Sequence, residues 1–120
     1  MRGELLGAFC ERGGNDISHC LELWAYPDTS LNLVVNQYTP EGESEYAFPC
    51  APHQLVNVLK NKSFLSETED GRVKVEREEN TLKAEFISTD GNERWEHSVP
   101  VGPFQNALAQ VSPDVDKVNE

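Results

Sequence analysis

Long apolar runs are missing from this chain. No stretch of its 120 residues approaches the ~20 apolar positions of a bilayer-crossing helix, so no membrane span is expected. The N-terminal MRGELLGAFCERGG interrupts its short apolar run with Glu4, and it lacks the longer apolar core and cleavage site of a signal peptide. Basic residues are scarce. Ten Lys and Arg stand against 21 Asp and Glu, a formal net charge of −11. Such a surface repels phosphate backbones and anionic lipid heads and favours basic partners. Cysteine occurs three times, as Cys10, Cys20 and Cys50. An odd count at irregular spacing is a poor disulfide framework, so reduced, largely buried thiols in a cytoplasmic protein are expected. A hairpin between them would bring Cys10 and Cys20 near each other, which leaves a redox pair open.

Catalytic and metal signatures are equally thin. RGGN has neither the spacing nor the following helix of a phosphate loop, and there is no CxxC or HExxH. His19 is next to Cys20, but adjacent strand residues face opposite sides and do not share a metal easily. Cys50 and His53 lie three apart at a strand-to-helix joint, where a helix N-terminus would lower a thiol pKa, yet no third orienting group accompanies them. The acids Glu41, Glu43, Glu45, Glu67, Glu69 and Asp70 lack the ordered spacing of a calcium loop. No enzyme, cofactor or metal is therefore expected.

What is present is period-two alternation, repeated. RVKVERE (72–78) sets Val73 and Val75 against Lys74, Glu76 and Glu78, the mark of a strand with one wet face. TLKAEFIS (81–88) alternates again after an expected tight turn at Glu79-Asn80. Asp90-Gly91 is a strong hairpin signal before ERWEHSV (93–99), which puts Trp95, His97 and Val99 on one face. The period then changes. Phe104, Ala107, Leu108 and Val111 recur at helical spacing in 102–111, behind an early Pro103. Phe64-Leu65 supplies a short strand ahead of 72–78. The first half has the same order: strands at 4–12, 17–26, 30–38 and 45–48, with Pro49 expected to end the last, then a helix at 51–61. A shift of 51 superposes Leu31, Leu33 and Val35 on Leu82, Ala84 and Phe86, and Pro49 and Pro52 on Pro100 and Pro103.

These patterns predict an α+β fold built from a duplicated ββββα unit: two antiparallel four-stranded sheets, each with one C-terminal helix. One domain spans 1–111 as repeats 4–61 and 63–111, and 112–120 is a flexible tail. A one-sided sheet must cover its apolar face. One helix covers part of it and a second copy covers the rest. The wet faces differ. The second sheet offers Lys74, Glu76, Glu78, Lys83 and Glu85, whereas the first offers Trp24, Tyr26, Asn32, Val34, Asn36 and Tyr38 with Glu22. Aromatics on a sheet face suggest either a contact surface or cover from within the chain, by the N-terminal strand, the C-terminal tail or the 39–44 loop.

The order of elements across 4–111 resembles the PC4/Whirly group of single-stranded nucleic-acid binders, with no family motif accompanying it. The resemblance implies strand binding through basic and aromatic sheet surfaces, with Trp24, Tyr26 and Tyr38 stacking bases. Arg2 and Arg12 are the only Lys or Arg before Lys60, so the basic groove of that group is missing and nucleic acid is not the favoured partner. The expected function is a small, acidic, non-catalytic interaction protein. It would bind a basic protein partner or a second copy of itself as a homodimer through Trp24, Tyr26, Val34 and Tyr38. The alternatives are single-stranded nucleic-acid binding and a small-ligand or enzyme role.

Overall fold

A computed structural model of the chain describes residues 3–12, 18–28 and 30–111, apart from the side chains of Arg12 and Trp95. The expected tail at 112–120 lies outside the described residues. The element order is β1 (Glu4–Arg12), β2 (Ser18–Ala25), β3 (Leu31–Thr39), β4 (Gly42–Cys50), α1 (Pro52–Leu59), β5 (Phe64–Thr68), β6 (Gly71–Glu78), β7 (Thr81–Ser88), β8 (Arg94–Pro100) and α2 (Val101–Ala109). Strands β1-β2-β3-β4 form one antiparallel sheet and β5-β6-β7-β8 the other, each followed by its helix. The duplicated ββββα architecture is therefore the fold. No helix among the described residues is long and apolar enough to cross a membrane.

Register follows the alternation. Leu31, Leu33 and Val35 on β3 are buried, and so are Leu82, Ala84 and Phe86, their counterparts 51 residues on. The inner faces of both sheets share one core. Phe86 of β7 stacks on Tyr46 of β4 at 4.7 Å between ring centroids and meets Phe48 edge-on at 5.9 Å. The helices cross over. Helix α1, which follows the first sheet, packs on β5 and β6 of the second, and α2 reaches β1 of the first as well as β8. Each repeat is thus closed partly by the helix of the other, rather than only by its own.

Two side chains at equivalent positions, Tyr46 and His97, also reach across. Tyr46 donates its hydroxyl to Glu93 Oε2 at 2.7 Å, and Ser44 donates to the other Glu93 oxygen at 3.3 Å. His97 Nδ1 lies 3.5 Å from Glu11 Oε2. Helix α1 begins with the Ala51 N–H donated to Gln54 Oε1 (2.8 Å). It ends with Asn61 at φ 68°, where Asn61 and Lys62 donate back to Val58 and Asn57, the left-handed cap that satisfies final-turn carbonyls. Arg77 of β6 donates to the Leu59 carbonyl (2.6 Å), placing a cation at the negative end of the helix.

The differences from expectation sit at the joints. The turn between β3 and β4 is not 39–44 but two residues, Pro40-Glu41, since Thr39 already pairs with Gly42. Pro49 lies inside β4, not at its end. β4 is an edge strand, where a residue without an N–H is tolerated on the open side. Pro100 likewise closes the edge strand β8. The other two edges are β1, with a register shift between Leu5 and Gly7, and β5, with only five residues.

At the β6–β7 turn the left-handed residue is Glu79 (φ 57°), not Asn80. A side chain with a Cβ costs about 1 kcal/mol in that region. Glu79→Gly is therefore expected to raise stability by roughly 0.5 kcal/mol after glycine's added unfolded-state entropy is deducted. A thermal melt reads this as a small rise, on the order of 2 °C.

Candidate functional site

The outer face of the first sheet can be laid out by register. Four rows cross the strands: Leu5, Trp24, Asn32, Pro49; then Ala8, Glu22, Val34, Ala47; then Cys10, Cys20, Asn36, Glu45; and finally Arg12, Ser18, Tyr38, Glu43. Neither helix lies among these rows, because alternation sends the inner set to the core and this set outward.

Trp24 and Tyr38 are both on this face, and neither is sealed inside. Tyr38 is 38% exposed and Trp24 is half-buried. They are not neighbours. Six residues of β2 separate their rows, about 20 Å of strand. The Trp24 indole donates Nε1–H to Glu22 Oε1 (2.9 Å), so it lies along β2 toward the centre of the face.

Val34 and Tyr26 are placed differently. Val34 is only 4% exposed, and its neighbour Asn36 only 5%. They form the floor of the face, flanked in register by Glu22, Ala47, Cys20 and Glu45, and Val34 offers almost no area to a partner. Tyr26 follows the last residue of β2, and there the alternation ceases to apply. It lines a depression of about 210 Å³ with Ala25, Ser30, Leu31, Pro52 and Val111, at the helix end of the sheet. Thus only Trp24 and Tyr38 of the four expected contact residues stand on the outer surface of this face.

Acidic side chains accompany the aromatics on this face. Partial burial is the first cause of a raised Tyr38 phenol pKa, and Glu22, Glu43 and Glu45 add to it. Arg12 is the one Lys or Arg in these four rows, against Glu22, Glu43 and Glu45. The second sheet is different. Its outer face pairs Arg72 with Glu67 (3.9 Å), Lys74 with Glu76 (2.9 Å), and Lys83 with Glu85 (3.3 Å) and Glu96 (3.4 Å). Exposed pairs of this kind add little stability, but they neutralise the surface. Acids and bases nearly balance there, whereas on the first outer face three acids stand against Arg12 alone.

The cysteines depart from the expectation of three reduced thiols. Cys10 and Cys20 are directly paired in the β1–β2 register and form a disulfide. Cys50 alone is a free, buried thiol, and burial pushes its pKa up to about 12. It stays protonated at neutral pH. His53, three residues on, is exposed on α1, and Cys50 is not an activated nucleophile. Among the described residues, no group of three or more His, Cys, Asp or Glu is arranged to hold a metal ion.

His97 is 1% exposed, more deeply placed than a half-buried strand histidine. Burial lowers its pKa first. Glu11 and a bond to the Phe9 backbone oppose that shift, and His19 adds to it. His19, opposite Glu11 in the β1–β2 ladder, is also lowered by burial, with Glu11 opposing. No protein-family model and no curated protein matches this chain.

Proposed function

We propose that the chain is a non-catalytic interaction protein that takes a basic protein segment across the outer face of the first sheet. The observation that carries this reading is the concentration of Glu22, Glu43 and Glu45 around an exposed Tyr38, against a single base, Arg12, in the same rows. Trp24 and Tyr38 would act as separate anchors, about 20 Å apart, for an extended segment. The carboxylates between them would steer and orient the partner. A twofold homodimer through this face would set the same carboxylates against themselves, which disfavours self-association there at low salt. The topological likeness to the PC4/Whirly group supplies a scaffold and two stacking aromatics, but the charge of the face opposes phosphate. The cytoplasmic reading is compatible with a disulfide only where the bond responds to the redox state.

The test is an NMR titration of the full chain with an arginine-rich peptide and, separately, with a single-stranded oligonucleotide, both at low salt. The expected result is amide shifts confined to the Glu22, Trp24, Tyr38 and Glu43 region. Trp24→Ala with Tyr38→Ala should weaken peptide binding about tenfold or more, since truncating two anchors costs on the order of 1–2 kcal/mol each. Shifts centred on Lys74 and Glu85, or an affinity unchanged by the double substitution, would refute it. Tighter binding of the oligonucleotide would favour the nucleic-acid alternative instead.

A further inference from the structure

The geometry points to the Cys10–Cys20 bond as a thiol-exchange site that opens at Cys10 without unfolding the chain and prefers cationic thiols. The first ground is access. Cys10 is exposed, on the edge strand β1, whereas Cys20 is 7% exposed on the interior strand β2. A thiolate attacks a disulfide sulfur in line with the bond being broken. At Cys10 that line enters from the open side of the sheet. At Cys20 it enters from β3, where Asn36, 5% exposed, is the register neighbour.

The second ground is that the hairpin is held independently of the bond. The β1–β2 ladder continues on both sides of the bridge, from Glu4 opposite Ala25 to Arg12 opposite Ser18. Phe9 packs on the Phe104 ring from the inner face, one residue away. Opening the bridge removes a link between two strands that are already paired.

The chemistry balances with an external thiol. Its thiolate attacks Cys10 Sγ, the Cys10–Cys20 bond breaks, and a mixed disulfide forms on Cys10. The electron pair leaves on Cys20 Sγ, which takes a proton from water. A second external thiolate then attacks the external sulfur of the mixed disulfide. This releases the external disulfide and leaves Cys10 reduced. Re-oxidation runs the same steps backward from an external disulfide.

The third ground is electrostatic, and it sets the preference among thiols. Glu45 is in the row of the bridge, Glu22 is in the next row on one side and Arg12 in the next row on the other, on a chain whose net charge is −11. An anionic thiol such as glutathione approaches against this field, and a cationic one such as cysteamine approaches with it. The exchange does not depend on what the face binds.

The experiment exposes the oxidised full-length chain to glutathione or to cysteamine, quenches with acid, and maps adducts by peptide mass spectrometry while circular dichroism follows the fold. The expected result is an opened bridge with an unchanged spectrum, and adduct on Cys10 about tenfold over Cys20. Relative to a small neutral disulfide, cysteamine should be favoured over glutathione about threefold or more at ~0.01 M salt, with the gap closing near 1 M. In Cys20→Ser, the remaining Cys10 should form a mixed disulfide with cystamine, whereas in Cys10→Ser the remaining Cys20 should lag. The wild-type mapping stands even if either variant misfolds. A bridge that opens only as the chain unfolds, adduct mainly on Cys20, or a thiol preference unaffected by salt would each overturn the proposal.

Discussion

Phe86→Ala should remove about 3–5 kcal/mol of stability, the cost of emptying a fully buried aromatic site. Against the 5–15 kcal/mol that holds a typical domain together, that is a large share. Phe86 has no exposed surface, and it is where the second sheet meets Tyr46 and Phe48 of the first. The substitution therefore empties the joint between the repeats, not a site inside one of them. Each lost ring pair adds on the order of 1 kcal/mol to the area lost. Equilibrium urea unfolding checks this, with Leu65→Ala as the control. Leu65 is an apolar residue of the same sheet, 55% exposed, and its truncation should fall within about 0.5 kcal/mol of wild type. A Phe86→Ala loss below about 1 kcal/mol would mean that the two sheets do not depend on this contact.

The second large effect is on the pH dependence of folding. His97 and His19 both have folded-state pKa values below 6.5, so the fold favours their neutral forms. Their contribution is fully present above pH 6.5. It is lost as the pH falls below that value, because the unfolded chain then binds protons that the folded chain refuses. Each such proton contributes a slope of up to about 1.4 kcal/mol per pH unit. Urea unfolding between pH 7.5 and 5, above the range where most carboxylates titrate, should show stability falling for the wild type. His97→Leu should flatten the slope by up to one proton's worth, leaving the His19 part. General relief of the −11 charge on acidification acts on both proteins, so the difference between them isolates His97. Equal slopes would show that the buried imidazole does not titrate in this window.

The legible parts of the fold were those set by local rules. β7 was read to the residue, 81–88, because strict alternation ran between a tight turn and an Asp-Gly signal. The two-repeat order was legible for the same reason. What was not legible depends on partners distant in sequence. Nothing local to 52–59 indicates that α1 packs on the opposite repeat. Pro49 looked like a strand end because only the sheet order reveals an edge. Val34 reads as exposed by period, yet it is 4% exposed, which alternation along one strand does not encode. Tyr26 was extrapolated from a pattern that stops at Ala25. The disulfide, by contrast, had a usable signal. Cys10 and Cys20 are each five residues from Asn15, in a stretch whose sequence reads as a turn, and the β1–β2 register pairs them directly, as it pairs Glu11 with His19. The odd cysteine count hid this.

The four outermost strands bear on behaviour at high concentration. A free strand invites another chain to add alongside it, and continued addition produces fibres. Here one such strand carries a register shift, two carry a proline and the fourth is only five residues long. Growth by adding strands end over end is obstructed at every margin, so crowding should produce reversible contacts between faces before it produces fibrils.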